Sequence, residues 1–560
     1  MFKSQSEFEA YRIKCEERVN SAKVRILVCM GATCLMNGAK HIAAKFRELA
    51  GYNRDITVEY ITEETECGAD VIRTGCQGFC KLAPLVRIIK GDKMIQYVRV
   101  KRMDCEEIFE KTVLGDELIE RLLYTEDGKA YPEAHEIPFF KDQTRNLLHD
   151  MANVDVGLVH DYIGFGGFKA FEKALFTMTP EDIVKTIEDS KLKGRGGGGF
   201  LTGFKWRSVM DQPKGQKYIV CNADEGDPGT FIDGAIMDGS PFQMIEGMMI
   251  AGLAVGASEG YVYVRAEYPI SMKRLNEAID SLTEIGLLGD NILGTDFSFR
   301  MYVYSGMGAF VCGEESSLVA SLEGKRGFPS IKPPFLTTKG YMGKPTVLNN
   351  VETFDNVPHI IERGAQWFNS IGTPECPGTK IYALSGAVAR TGLVEVPMGT
   401  TLRDIIFKLG NGMKEGSTFK AALVGGPTGR CLVERHLDIP FDFVTAAQND
   451  AIVGSGGIIV LDQTTNMVEL SKFLMKYSVN ESCGKCTPCR IGTTRMYEIL
   501  DRLCKHEAKE EDLVKLKETG EFVLVRALCG LGKSTPLMVL NTLEDFPEEY
   551  KACLVSKESK

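Results

Sequence analysis

Two sets of closely spaced cysteines and one glycine-rich run carry the chemistry open to this sequence. Cys29-x4-Cys34 and Cys76-x3-Cys80 place four thiols in two short segments. Four thiolates can hold a [2Fe–2S] cluster or a tetrahedral zinc. A disulfide redox pair is a further reading, although its usual spacing is C-x-x-C and neither pair has it. Cys483-x2-Cys486-x2-Cys489 is more specific. Three thiolates so close suit three corners of a [4Fe–4S] cube closed by a distant fourth, whereas zinc usually takes cysteines in pairs. Cys529, in the turn Cys529-Gly530-Leu531-Gly532, is the expected fourth, with Cys504 as the alternative. Cys504 otherwise groups with Cys15, Cys67, Cys105, Cys221, Cys312, Cys376, Cys431 and Cys553 as plain buried thiols.

The glycine-rich run is Gly194-Arg195-Gly196-Gly197-Gly198-Gly199-Phe200. Without Cβ atoms its backbone N–H groups can approach a ligand closely, and Arg195 and Lys205 add positive charge suited to a phosphate. It contains G-x-G-x-x-G (Gly194, Gly196, Gly199), but the ordinary dinucleotide fingerprint follows a strand. Here Thr179 as N-cap, Pro180 at the first helical position, and Ile183, Val184 and Ile187 on one face predict a helix before the loop. The simple Rossmann reading therefore fails in this setting.

The elements that must position these groups follow in order. A charged helix over residues 1–20 precedes a strand at Val24–Val28 ending on Cys29, then a helix over Gly38–Ala50. Short strands are expected at Ile56–Tyr60, Val71–Arg73, Leu85–Ile89 and Met94–Val98, and a helix at Glu106–Leu114. That order fits a small α/β unit. Residues 121–145, with Pro132 and Pro138 among charges, read as a linker. Tyr218–Cys221 reads as a buried parallel strand ending in Asn222-Ala223-Asp224-Glu225-Gly226-Asp227, where open α/β sheets bind ligands. Strands at Tyr261–Val264 and Phe299–Tyr304 follow, the second leading to Phe310 and Gly313-Glu314-Glu315. Glu314 and Glu315 suit either a ligand role or compensation of a helix dipole, and Asn349 and Asn350 either a ligand role or turn chemistry. Residues 373–450 read as a β-grasp-like module whose last strand is Ala421–Val424, and the remainder as helices.

A length of 560 residues allows roughly three to five domains. The net charge of −10 argues against nucleic acid as a partner. No apolar run approaches the roughly 20 residues of a membrane span, and the N-terminus lacks a signal-peptide core. A cytoplasmic protein without direct membrane insertion is expected.

Gly-Arg-Gly-Gly-Gly-Gly-Phe, Cys-Asn-Ala-Asp-Glu, Cys-Gly-Glu-Glu, Gly-Lys-Pro-Thr-Val-Leu-Asn-Asn-Val-Glu-Thr and Glu-Ser-Cys-Gly-Lys-Cys-Thr-Pro-Cys-Arg occur in one order over about residues 140–555. This resembles the FMN- and NADH-binding flavoprotein subunit of respiratory complex I and its relatives in NAD-linked hydrogenases and formate dehydrogenases. The N-terminal cysteine pattern resembles thioredoxin-like [2Fe–2S] ferredoxins, and the fusion resembles the β subunit of electron-bifurcating hydrogenases. The resemblance implies an α/β multidomain chain: a thioredoxin-like [2Fe–2S] domain (1–120), a linker (121–145), a Rossmann-like FMN/NADH domain (146–372), a β-grasp, SLBB-like module (373–450) and a helical [4Fe–4S] domain (451–560). It implies that Cys29, Cys34, Cys76 and Cys80 hold [2Fe–2S], and that Cys483, Cys486, Cys489 and Cys529 hold [4Fe–4S]. Gly194, Arg195, Gly196, Gly197 and Lys205 would contact FMN and nucleotide phosphates. Asn222 and Asp224 would hold ribityl or ribose hydroxyls, and Glu225, Asp227, Phe310, Gly313, Asn349 and Asn350 would line the flavin pocket. Glu314 and Glu315 would lie beside the nicotinamide of NAD(H) or its ribose.

The implied reaction passes a hydride from NADH to the flavin and single electrons to the clusters, with no side chain acting as acid or base. Implied partners are a small [2Fe–2S] subunit and a large cluster-bearing catalytic subunit of the hydrogenase or formate dehydrogenase type, with ferredoxin as a further candidate for electron bifurcation. A non-bifurcating NADH dehydrogenase (diaphorase) subunit, a zinc-bound scaffold and a thiol oxidoreductase are the alternatives. Phe310 replaces the family's usual Tyr, Asp227 its usual Glu and Leu201 its usual Pro. The acidic Asp224, Glu225, Asp227, Glu314 and Glu315 would disfavour a 2′-phosphate.

Overall fold

The computed structural model describes residues 2–51 and 68–555. The strand expected at Ile56–Tyr60 and the thiol Cys67 lie outside them.

A four-stranded, all-parallel sheet organises the middle of the chain, in the spatial order Thr346–Asn350, Tyr218–Ala223, Glu259–Val264, Arg300–Ser305. The core segment Ile219-Val220-Cys221 is fully buried, as parallel strands covered on both faces require. The helix Pro241–Val255 is apolar apart from Gln243 and Glu246, and it is correspondingly buried. It packs so closely on Val351–Arg363 that a Cβ at Gly247 would stand 2.0 Å from the Phe354 carbonyl oxygen, so only glycine fits there. The helix Pro180–Asp189 starts as its sequence dictates: Thr179 Oγ accepts from Asp182 N–H, and the Asp182 carboxylate accepts from Thr179 N–H. The glycine run thus joins this helix to Thr202–Met210, with no strand before it.

The N-terminal sheet runs Ala69–Thr74, Val24–Cys29, Val86–Lys90, Lys93–Tyr97, with the first two strands parallel and the others antiparallel. The first helix, Gln5–Ser21, packs into the core around the parallel sheet through Phe8, Tyr11 and Cys15. Residues 121–145, expected as a linker, are packed. They form the hairpin Tyr124–Glu126/Lys129–Tyr131 and the short helix Pro138–Lys141. Their aromatic residues explain this: Phe139 stacks on Phe79 at 4.5 Å, and Phe140 meets the same ring edge-on.

The β-grasp-like module is a five-stranded sheet ordered Gly392–Pro397, Thr379–Gly386, Gly457–Asp462, Phe419–Val424, Arg430–Leu432. Its central strand, Gly457–Asp462, falls in the stretch expected to be helical, so Ala421–Val424 is not the last strand. The apolar run Gly457-Ile458-Ile459-Val460-Leu461 is too short for a helix and pairs on both edges. Helices Met467–Glu481, Thr487–Cys504 and Glu510–Arg526, with shorter ones to Ala552, complete the chain. Among the described residues no helix is long and apolar enough to cross a membrane.

Candidate functional site: a two-lobed cleft beside the C-terminal cysteines

The C-terminal ends of Tyr218–Ala223 and Thr346–Asn350 deliver Asn222 and Asn350 to a cleft roofed by the glycine run. Asn222 and Asn350 are paired in register, so both reach the same level. A Cβ on Gly196 would come within 2.9 Å of Asn350 Cβ, so the loop touches the sheet edge there. Gly198 has nothing within 4 Å of a built Cβ and faces open space.

The first lobe is a cavity of about 350 Å³ lined by Gly196–Gly198, Asn222, Asp224–Asp227, Asp233, Phe310, Gly313 and Glu314, and closed by Gly454, Ser455, Gly530 and Leu531. Asn222 donates to the Gly313 carbonyl at 2.9 Å and accepts from Asp224 N–H, fixing the two loops. The Asp224 side chain is 1 % exposed, with Arg265 Nε 3.8 Å away. Burial raises its carboxyl to about 7 against the opposing pull of Arg265. Asp227 Oδ2 accepts from Ser455 Oγ at 2.6 Å, and burial raises this group to about 6. Asp233 takes a 2.6 Å bond from Asn350 Nδ2, and burial pushes its carboxyl well up. Asp224 Oδ2, Asp227 Oδ1 and Asn350 Oδ1 are buried acceptors without partners among the described residues.

The second lobe, about 340 Å³, shares Gly196, Gly198, Asn222, Gly313, Glu314 and Asn350 with the first and adds Phe200, Lys205, Glu315, Lys332 and Asn349. Lys205 donates to the Leu348 carbonyl at 3.2 Å and lies 4.0 Å from Glu315; burial lowers its pKa. Glu314 caps the helix Glu315–Leu322 through Ser316 and Ser317 N–H, both at 2.9 Å. Although burial opposes it, hydrogen bonds from Ser316 and Lys332 hold its pKa down. Lys332 bridges Glu314, at 3.0 Å, and Glu315. Phe200 and Phe204, 50 % and 60 % exposed, meet edge-to-face beside this lobe.

One expected contact, Arg195, falls elsewhere, and Glu225 and Asn349 line the lobes while bonded to groups of the protein itself. Arg195 is 1 % exposed, and its Nη2 donates to the Pro377 carbonyl at 2.8 Å, so it anchors the loop from behind and lines neither lobe. A lone guanidinium followed by four glycines gives no sign of which way it turns. Glu225 is spent on the N–H groups of Ile232, Asp233 and Gly234 and on Tyr268 OH, as a cap on the helix Ile232–Gly239. Asn349 accepts from buried Trp206 Nε1 at 3.0 Å. Phe310 presents its ring to the first lobe and to Tyr477 at 5.7 Å, while its N–H donates to Glu481. Sequence reasoning missed Lys332 and Ser455. The run Gly454-Ser455-Gly456-Gly457 before an apolar stretch was the legible signal for the second.

Cys529 heads the helix Gly530–Ser534, whose first residues wall the cleft. Cys483, Cys486 and Cys529 all act on the Cys489 thiol, whose pKa burial raises to about 11, and Glu314 acts on Cys529. A Cβ on Gly532 would meet Cys489 Cβ at 3.3 Å, so the Cys529 turn abuts the triple. Cys504, expected as a buried thiol, is part-buried and packs instead against the helical core, with Cys553 as its sulfur neighbour. In the first domain Cys29 shares hydrogen bonds with Cys34 and Cys76, and Cys76 Sγ lies 3.8 Å from Cys80 Sγ. Gly31, Thr33, Gly78, Phe79 and Leu85 close around the four. Three of these thiols are buried and Cys80 is part-buried.

This donor set fits a flavin mononucleotide and two clusters. The glycine backbone and Lys205 suit a phosphate, three orphaned acceptors suit hydroxyl donors, and each thiol set has four members. Fold and site define a flavin- and iron–sulfur-dependent oxidoreductase subunit. The Nuo51 FMN-binding domain matches residues 187–359, the NADH-ubiquinone oxidoreductase-F iron-sulfur binding region 469–553, and the thioredoxin-like [2Fe-2S] ferredoxin 14–112. The chain is 48 % identical over 412 residues to the NADP-reducing hydrogenase subunit HndC of Solidesulfovibrio fructosivorans, covering 74 % of this chain and 84 % of that one. It is 41 % identical over 424 residues to an NADH-quinone oxidoreductase subunit of Aquifex aeolicus, covering 76 % and 97 %. An NAD+-reducing [NiFe]-hydrogenase structure in the H2-reduced state is similar with a TM-score of 0.66 and 28 % identity, over 96 % of this chain and 85 % of that one. The chain belongs to the family of complex I 51 kDa-type FMN- and NADH-binding subunits, and carries a thioredoxin-like [2Fe–2S] domain at its N-terminus.

Proposed function

We propose that the chain is the NAD(H)-oxidising flavin subunit of a cytoplasmic, multi-subunit hydrogenase or formate dehydrogenase, and that its complex bifurcates electrons to or from ferredoxin. One observation carries the reading: the cleft with three orphaned acceptors is walled by the turn that begins at Cys529. Bound FMN would take a hydride from NADH and release electrons singly, the conversion that one-electron clusters require. Lys205 and the N–H groups of Gly196–Gly198 hold the phosphate in this reading. Asp224 Oδ2, Asp227 Oδ1 and Asn350 Oδ1 accept from its hydroxyls. Each recovers a hydrogen bond whose absence costs a buried group about 1–3 kcal/mol. Lys332 holds Glu314 and Glu315 in place beside the nicotinamide. Phe200 and Phe204 offer an aromatic face at the mouth.

In the same reading Cys29, Cys34, Cys76 and Cys80 ligate [2Fe–2S], and Cys483, Cys486, Cys489 and Cys529 ligate [4Fe–4S]. The structural units are the thioredoxin-like domain, the FMN domain, a β-grasp module reaching Asp462 and a helical unit from Met467. Partners are a small [2Fe–2S] subunit and a large cluster-bearing catalytic subunit. Anaerobic purification of the native complex with flavin, iron and sulfide analysis tests this. FMN with iron and a hydrogenase- or formate dehydrogenase-type partner is expected. Stoichiometric zinc without iron would establish the scaffold reading instead, and NADPH activity several-fold above NADH would refute the nucleotide preference.

A further inference from the structure

Beside the four N-terminal cysteines stand two guanidinium groups that no carboxylate among the described residues neutralises in full. Arg87, 5 % exposed, lies on Val86–Lys90 in register with Leu27. Because side chains alternate along a strand, Arg87 projects from the same sheet face as Leu27 and Cys29. Its Nε donates to Gln96 Oε1 at 2.9 Å. Arg145 arrives from the packed segment 121–145. Its Nη2 donates to the carbonyls of Gln77, next to Cys76, and Leu148 at 3.0 and 3.1 Å. Part of Arg145 reaches the surface, but its Nε is buried without a partner. Both guanidinium groups lie over one ring, Phe140, at 5.4 and 5.0 Å.

The groups that act electrostatically on Arg87 are Arg145 and Cys29; those acting on Arg145 are Glu395, Cys76 and Cys29. Glu395 is already engaged by the N–H groups of Asn146, Leu147 and Leu148 and by Thr379 Oγ1. Among the described residues one carboxylate acts on Arg145 and none on Arg87, which leaves positive charge facing the sulfurs. Buried charge of this kind demands a counter-charge, and thiolates around iron supply it.

We propose that Arg87 and Arg145 hold fixed positive charge against the [2Fe–2S] site and set how readily it accepts an electron. The inference rests on the reading of Cys29, Cys34, Cys76 and Cys80 as ligands. Reduction adds one electron and one negative charge to the cluster, with no proton moved, so a fixed cation nearby favours the reduced form. Arg145 lies outside residues 14–112, the part matched to the thioredoxin-like ferredoxin. The fused chain therefore supplies half of this charge from beyond that domain.

The test is a redox titration of the full-length, anaerobically purified chain, following the [2Fe–2S] EPR signal with the [4Fe–4S] signal as internal reference. Arg87→Gln and Arg145→Gln should each lower the reduced-to-oxidised ratio at a fixed potential about tenfold, a downward shift of about 59 mV for a one-electron couple. Arg87→Lys and Arg145→Lys, which keep the charge, should restore most of it, and the [4Fe–4S] titration should not move. If Arg87→Gln does not retain the cluster, Arg145→Gln, at a part-buried residue, carries the same comparison. Gln variants titrating with the wild type would overturn the proposal, as would Gln and Lys variants shifting alike. A wild-type chain holding iron but giving no [2Fe–2S] signal would overturn the ligand reading itself, and this inference with it.

Discussion

Ser455 Oγ donates to Asp227 Oδ2 at 2.6 Å, tying the acidic loop after Tyr218–Ala223 to the turn that opens the central strand of the β-grasp module. The cleft is therefore closed by a second structural unit, and Asp227 keeps its other oxygen, buried and unpartnered, for the cavity. Asp227→Asn keeps the size of the side chain but replaces one acceptor by a donor. Flavin binding to the deflavinated chain should weaken about tenfold, a loss of about 1.4 kcal/mol. Ser455→Ala should weaken it less and cost about 1 kcal/mol of stability through the lost hydrogen bond. Flavin fluorescence titration and thermal denaturation read the two effects; unchanged affinity in both variants would remove Asp227 from the flavin site.

Asp224 has the opposite effect in the empty and filled cleft. Burial raises its carboxyl from the ordinary 3.8 to about 7 in the folded chain. Its favourable contribution is complete below about pH 4 and is lost as pH rises through about 7, because ionisation then occurs in a desolvated site. The flavin-free protein should lose stability over that window, by at most about 4 kcal/mol from this group. Asp224→Asn should raise the Tm of the flavin-free protein at pH 8, with little change at pH 4, while weakening flavin retention. A Tm difference independent of pH would contradict the assignment.

The legible parts were those set by local rules. The Thr179 N-cap and the buried run Ile219–Cys221 each depend on a few neighbouring residues, and each occurs as read, while the C-terminal cysteine spacing brings its thiols near one another. The strand Gly457–Asp462 was missed because its two partners lie about 35 and 75 residues upstream. The 121–145 segment looked like a linker because prolines and charges hide Phe139 and Phe140, whose partner Phe79 is also distant in sequence. Arg195 was expected at the phosphate from its charge within the glycine run, and Glu225 in the pocket from its place just after a parallel strand. Charge shows that a partner is needed without showing where it stands: Arg195 found a carbonyl behind the loop, and Glu225 a helix N-terminus.

Two glycines of the run should separate fold from binding. Ala at Gly196 would press on Asn350 at 2.9 Å and disturb its bond to Asp233, with a stability cost of about 1–3 kcal/mol. Ala at Gly198 meets nothing within 4 Å and requires no left-handed backbone. Gly198→Ala should therefore keep stability within about 0.5 kcal/mol of wild type. It should still weaken flavin or nucleotide binding, because the methyl group enters the space between loop and ligand. Thermal denaturation with flavin and NADH titrations checks both; a Gly198→Ala chain with normal binding would place the ligand elsewhere in the cleft.

Cys529 and Cys504 offer the sharpest test of the second cluster. Cys529 neighbours Cys483, Cys486 and Cys489, whereas Cys504 packs near Cys553, with Lys472, Glu469 and Asp501 as its charged neighbours. A [4Fe–4S] cube needs its fourth protein sulfur within reach of the first three, and only Cys529 meets that condition of the two. Cys529→Ser should abolish or strongly shift the [4Fe–4S] EPR signal while leaving the [2Fe–2S] signal in place. Cys504→Ser should leave both signals intact, with a stability loss of about 1 kcal/mol from the altered core contact. Because the Cys529 turn also walls the flavin cleft through Gly530 and Leu531, Cys529→Ser should in addition slow electron transfer out of the cleft more than it slows NADH oxidation by a small dye. Loss of the [4Fe–4S] signal in Cys504→Ser, with retention in Cys529→Ser, would reverse the assignment.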